Sequence, residues 1–201
     1  MLLYYITDRA ALGGSAALLP CVRRVAAAGV DWIQVRERDL SGRALAELVT
    51  EVLKIARAGT RPTRVLVNDR LDIALATGAD GVHLPSHGLP TGAVRGMAPA
   101  GFLIGRSCHS PADVQVAAAE GATFCVLGPV FATPSKAEMG PPLGLAAFRS
   151  LQAMTIPVLA LGGVTLENAA ACRVAGAAGV AGIRLFQEEP LPVAELARLR
   201  G

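Results

Sequence analysis

The chain has 201 residues, 52% hydrophobic and 4% aromatic, with 19 Lys and Arg against 16 Asp and Glu. That length carries one domain with a large core. Its net charge of +3 is spread along the chain. With no basic block or aromatic stripe, it excludes a nucleic-acid partner. No run approaches the roughly 18 apolar residues that would cross a bilayer.

The opening "MLLYYITDRA" has no basic leader ahead of an apolar run, so neither a targeting segment nor a membrane partner is expected, and the expected location is cytoplasmic. The first strand is "LYYIT" (3–7), which runs out at Thr7 and Asp8. The second lies in "AGVDWIQVR" (28–36), where Gln34, Arg36 and Arg38 share one parity and Ile33, Val35 and Glu37 the other. Two guanidiniums side by side need an anion or carboxylates between them. The third, "RVLVND" (64–69), ends at Asn68 and Asp69. One carboxylate suits Mg²⁺ only where substrate phosphates complete the shell.

The fourth strand, in "TGADGVHLP" (77–85), leads to His83 and Ser86. The fifth, "GFLIGRSC" (101–108), brings Arg106, Ser107 and His109 to its end. Ser110 and Pro111 are the natural cap and first residue of the next helix, so His109 is not needed there. The sixth, in "EGATFCVLG" (120–128), opens the longest loop, 128–144, where Thr133, Ser135 and Lys136 offer two hydroxyls and an ammonium to a phosphate or diphosphate. The seventh, "IPVLALGG" (156–163), ends in Gly162-Gly163 before a helix opened by Thr165, with Asn168 in its first turn. Bare N–H groups there favour a phosphate. The eighth, in "AGAAGVAGIR" (175–184), ends at Ile183 and Arg184.

Four of these segments repeat one phrase: a helix, a glycine (Gly29, Gly78, Gly121, Gly176) suited to a helix C-cap, then a buried apolar run. Eight strand–helix units predict a single-domain α/β fold, a (β/α)₈ TIM barrel over residues 1–201. The rival, an open doubly wound sheet, lacks the G-x-G-x-x-G expected after its first strand. In such a barrel the strand C-terminal ends carry the site. Cations outnumber carboxylates there, so the ligand is expected to be anionic. Cys21, Cys108, Cys125 and Cys172 form no C-x-x-C pair, and three of them sit in apolar helix or strand contexts where a free buried thiol is expected.

The stretches "YYITDR", "IQVRERD", "VNDRLDIALATGADGVHL", "GPVFATPSK", "PPLGL" and "PVLALGGVTLENAA" occur in order between about residue 4 and about residue 186. Together they resemble the thiamine phosphate synthase and thiazole tautomerase family. The resemblance implies a (β/α)₈ barrel, a phosphorylated thiazole bound at its C-terminal face, and a homodimer. The synthase branch joins a pyrimidine diphosphate to thiazole phosphate, expelling pyrophosphate with Mg²⁺ as cofactor. The tautomerase branch moves a proton on the thiazole phosphate carboxylate and requires no cofactor.

Carried onto this chain, the synthase pattern implies a diphosphate site at Gln34, Arg36, Arg38, Asn68 and Lys136, Mg²⁺ on Asp69, and Ser107 beside the diphosphate. Thr133 and Ser135 would meet the thiazole or its phosphate. Gly163, with Ile183 and Arg184 at the end of strand eight, would hold that phosphate. Three positions depart from the pattern. Gly88 stands where synthases carry a second metal-ligating Asp, Arg184 where the family usually has Ser, and Arg38 where synthases usually have Lys. "IGRSCHS" and "HLPS" resemble the tautomerase branch, in which a histidine at the place of His109 acts on the thiazole. Histidine suits a proton carrier near neutral pH. His83 and His87 are further candidates for that role, and His83 could equally be a satisfied strand histidine. The leading expectation is therefore a thiazole tautomerase with His109 catalytic. The alternative is a thiamine phosphate synthase, and a third reading is a non-catalytic thiazole or thiamine phosphate binder.

Overall fold

The computed structural model describes residues 1–59, 61–133 and 140–200. Eight short strands alternate with helices. In chain order they are β1 (Leu2–Ile6), α1 (Ser15–Ala27), β2 (Trp32–Val35), α2 (Gly42–Arg57), β3 (Arg64–Asn68), α3 (Leu71–Thr77), β4 (Gly81–Leu84) and α4 (Thr91–Met97). The second half continues with β5 (Leu103–Cys108), α5 (Pro111–Ala119), β6 (Phe124–Leu127), α6 (Ala146–Arg149), β7 (Val158–Leu161), α7 (Leu166–Val174), β8 (Gly179–Gly182), α8 (Arg184–Gln187) and α9 (Val193–Arg200). All neighbouring strands are parallel, and β8 returns to β1, with Leu2 opposite Gly179, to close the barrel. The expected (β/α)₈ fold is the fold observed.

Burial divides along the strand period of two. Tyr4, Ile6, Leu66, Phe124, Val126, Leu159 and Ala181 fill the barrel interior. Tyr5, Ile33, Val35, Val65, Val67, Val82 and Ile104 face the helices. Helix α2 answers with Leu45, Leu48, Val49, Val52, Leu53 and Ala56, one stripe at helical spacing. Its start is fixed by Ser41, whose Oγ accepts from Ala44 N at 3.3 Å.

The four punctuating glycines all adopt positive φ, from 66° at Gly78 to 108° at Gly176. Gly78 is the cap itself, whereas Gly29, Gly121 and Gly176 sit one residue beyond a right-handed cap residue. All four cysteines are free and buried. Among the described residues, no helix is long and apolar enough to cross a membrane.

Candidate active site

On β2, β3, β4 and β5 the inward parity brings Gln34, Asn68, His83 and Ser107 towards the barrel mouth. Gln34 is buried at the end of β2, and its Nε2 donates to Asn68 Oδ1 of β3 at 3.0 Å. This bond joins two residues assigned to the diphosphate from sequence. Arg36 follows, half-buried, and Arg38 lies exposed beyond it. Among the described residues neither has an ion-pair partner. Burial first, then Arg38, lowers the pKa of the Arg36 guanidinium, with Asp8 and Glu37 opposing. A half-buried cation beside a second cation favours binding of an anion.

Glu37, between the two arginines, fixes the backbone that carries them, a role that sequence reading missed. Its carboxylate is 5% exposed. It accepts from Thr7 Oγ1 at 2.5 Å and from the Arg9 backbone N–H at 3.1 and 3.2 Å. Thr7 Oγ1 also accepts from Arg36 N at 2.9 Å. The buried carboxylate thus ties the ends of β1 and β2 together beneath the segment that carries both arginines. Burial, with a smaller push from the Asp8 charge, raises the Glu37 pKa above its ordinary value, against the Thr7 and Arg9 hydrogen bonds and the Arg9 charge.

Asp69 lies immediately past β3 with φ 63°, and its N–H donates to His83 O at 2.9 Å. A left-handed aspartate at a strand end is strained backbone held by its surroundings. A Cβ at Gly88 would lie 2.9 Å from Asp69 Oδ1, so the missing second carboxylate would have stood beside the first. Among the described residues, no group of three or more His, Cys, Asp or Glu gathers as metal ligands. The residues present therefore fit Mg²⁺ as one carboxylate whose remaining ligands come from a phosphorylated substrate and water. Arg106, which sequence reading placed in the polar ring, is turned aside. Its guanidinium donates to Leu89 O at 2.7 Å and Ser86 O at 2.9 Å, anchoring the loop that carries Gly88.

His83 and Ser107 meet inside the barrel, Nε2 to Oγ at 2.9 Å. Burial, with Arg36 and Arg106 adding to it, pushes the His83 imidazole down to about 3. It is a satisfied strand histidine and no proton carrier at neutral pH. His87 is exposed on the β4–α4 loop. His109 is half-buried, and its Nδ1 lies 2.7 Å from Gly128 O. A carbonyl can only accept, so Nδ1 carries the hydrogen and the neutral ring keeps Nε2 as acceptor. Its backbone N–H donates to Asp113, and Ser110 caps α5 as expected.

The phosphate corner lies between β7 and β8. Gly163 has φ 65°, and a Cβ there would be 2.7 Å from Ala132 O and 2.7 Å from Phe131 Cβ. Only glycine fits both the backbone angle and that approach. Asn168 fixes the turn by donating to Gly163 O at 2.9 Å and accepting from Thr165 N at 2.8 Å. The Gly163 and Val164 N–H groups donate to no described residue. From β8, past half-buried Ile183, Arg184 reaches across so that its Nη2 donates to Thr133 Oγ1 at 3.3 Å. Gly162, Gly163, Thr133 and Arg184 are thus brought together. Ser135 and Lys136 lie outside the described residues.

The profile of the family described as thiamine monophosphate synthase matches residues 3–186. The chain belongs to the thiamine monophosphate synthase family. It is 45% identical to the thiamine-phosphate synthase of Methanoculleus marisnigri over 89% of this chain and 84% of that protein. It is 39% identical to the thiamine-phosphate synthase of Roseiflexus castenholzii, over 96% and 84%. A solved thiamine phosphate pyrophosphorylase from Pyrococcus furiosus superposes with a TM-score of 0.86 at 30% identity, covering 98% of this chain and 94% of that one. These likenesses support the synthase alternative of the sequence reading and the transferase class. The leading expectation, a tautomerase, finds no support in them.

Proposed function

We propose that this chain is a thiamine-phosphate synthase, joining a hydroxymethylpyrimidine diphosphate to thiazole phosphate and releasing pyrophosphate. The observation that carries the reading is Arg36, half-buried beside Arg38 and in ion-pair contact with no described carboxylate, with Asp8 and Glu37 offsetting its burial only in part. A diphosphate supplies the missing charge. Gln34 and Asn68 lie at its inner edge and Ser107 offers a hydroxyl. The resemblance adds Lys136 and, on the thiazole side, Ser135.

The residues divide the work between two anion subsites. Arg36 and Arg38 bind the diphosphate and stabilise the charge that grows on it as pyrophosphate leaves. Gly163, Val164 and Arg184 anchor the thiazole phosphate at the other corner, so that the two reactants are held in one orientation. Asp69 would hold Mg²⁺, which neutralises the leaving diphosphate when bound.

A second reading has one observation in its favour. Donation from His109 Nδ1 to Gly128 O fixes the tautomer whose Nε2 can accept a proton, as a thiazole tautomerase would need. Calorimetry separates the readings. The synthase reading expects inorganic pyrophosphate with Mg²⁺ and thiazole phosphate to bind together, one of each per chain. Mutually exclusive binding would overturn it, since one anion subsite suffices for a tautomerase.

A further inference from the structure

Beneath Ser107 a line of polar groups runs through an otherwise apolar barrel. Tyr4 Oη of β1 lies 3.3 Å from His83 Nδ1 of β4, and His83 Nε2 lies 2.9 Å from Ser107 Oγ of β5. Tyr4 is fully buried, its ring edge-on to Trp32 and Phe124 at centroid distances of 5.7 and 5.6 Å. Gly105 admits the imidazole: a Cβ there would lie 2.6 Å from His83 Nδ1 and 2.3 Å from Phe124 Cζ.

The line has a direction. A buried phenol is a donor that must find an acceptor. Among the described residues the Tyr4 hydroxyl reaches His83 alone. Nδ1 is therefore the acceptor, and Nε2 carries the ring hydrogen. Nε2–H donates to Ser107 Oγ, which leaves the serine hydrogen free for the barrel mouth. The reverse tautomer would strand the phenol hydrogen in an apolar interior, enough to disfavour it by about 5- to 150-fold. It would also take up the serine hydrogen and present only lone pairs to an anion.

We propose that Tyr4 is a positioning residue that, through His83, sets the Ser107 hydroxyl as a hydrogen-bond donor to an anion in the barrel mouth. The proposal rests on the reading of Ser107 as part of the diphosphate subsite. Tyr4 opens the stretch "YYITDR", but neither the partner of its hydroxyl nor the ring direction of His83 can be read from the sequence.

The test has two arms. Long-range ¹⁵N–¹H NMR on the full chain, which has three histidines to assign, reads the ring tautomer without any ligand. His83 is expected as the Nε2–H form, and Tyr4→Phe is expected to lose that single form. Calorimetry then follows inorganic pyrophosphate with Mg²⁺. Tyr4→Phe is expected to raise its Kd by about 3- to 10-fold, the range for one weakened neutral hydrogen bond. In a Ser107→Ala background the same substitution is expected to change Kd by less than about 1.5-fold, because the group it acts through is gone.

An Nδ1–H tautomer in the unsubstituted protein overturns the proposal. So does a Tyr4→Phe variant that binds pyrophosphate unchanged while Ser107→Ala weakens it. If Ser107→Ala itself leaves pyrophosphate binding unchanged, the diphosphate reading of Ser107 falls, and the ligand-facing half of the proposal with it. The NMR arm then still decides whether Tyr4 sets the ring.

Discussion

Replacing Gly88 with aspartate puts the metal question to the protein directly. The ideal Cβ at this position falls 2.9 Å from Asp69 Oδ1 and 2.9 Å from Pro85 Cδ. Asp69 is exposed and its carboxylate can swing away, but the proline ring is less yielding. Two carboxylates about 4–5 Å apart repel by about 1–4 kcal/mol, and exposure favours the lower end. Crowding against Pro85 adds about 1 kcal/mol. Without metal, Gly88→Asp should therefore cost about 2 kcal/mol, a fall in Tm of about 4–8 °C for a chain of this size. Two adjacent carboxylates should also bind Mg²⁺ at least about tenfold more tightly than Asp69 alone. At 100 times its Kd, Mg²⁺ returns about 2.7 kcal/mol and offsets the loss. Thermal melts with and without Mg²⁺ measure both effects. Melting curves that respond to Mg²⁺ no more in the variant than in the parent would refute the placement of the metal at Asp69.

The other substitutions address one group each. Arg184→Ala should raise the Kd of thiazole phosphate more than tenfold by calorimetry and leave pyrophosphate binding alone, and a change under twofold would place Arg184 outside the phosphate corner. Glu37 has a folded pKa above its ordinary 4.5 because it is buried. Its contribution to stability is complete below the unfolded pKa and is lost as pH rises through the folded one. The Tm of Glu37→Gln minus that of the parent should therefore become more positive between about pH 4 and pH 7, and a difference that falls over that range would reverse the sign of the burial effect. His109→Asn should change synthase turnover by less than about threefold while ending any isomerisation of the thiazole carboxylate, a loss of the order that removing a general base brings. Loss of synthase turnover would give His109 a part in the transfer itself.

The barrel was legible in the sequence because its signal is local. Each βα unit carries a glycine, a buried apolar run and polar residues at the strand end, and the parity of Gln34 and Arg36 follows from strand geometry alone. The helix cap at Ser110 and the turn at Gly162-Gly163 were equally local. What the sequence hid depends on closure. Tyr4 and His83 are 79 residues apart and meet only because β1 and β4 face each other across the interior. Glu37 was placed on the parity opposite to the arginines. That this face is buried against Thr7 and Arg9 depends on how β1 packs beside β2. Arg106 read as one more cation of the mouth, yet it has the parity opposite to Ser107 and spends its donors on two loop carbonyls.

Two reactions run in parallel on the purified protein distinguish a synthase from a tautomerase. One holds the pyrimidine diphosphate, thiazole phosphate and Mg²⁺. The other holds the non-aromatic thiazole phosphate carboxylate. Phosphorus NMR follows both. A synthase should give thiamine phosphate and pyrophosphate rising one-for-one in the first. Aromatic isomer formed in the second, with no thiamine phosphate in the first, would contradict the synthase reading and return the site to His109.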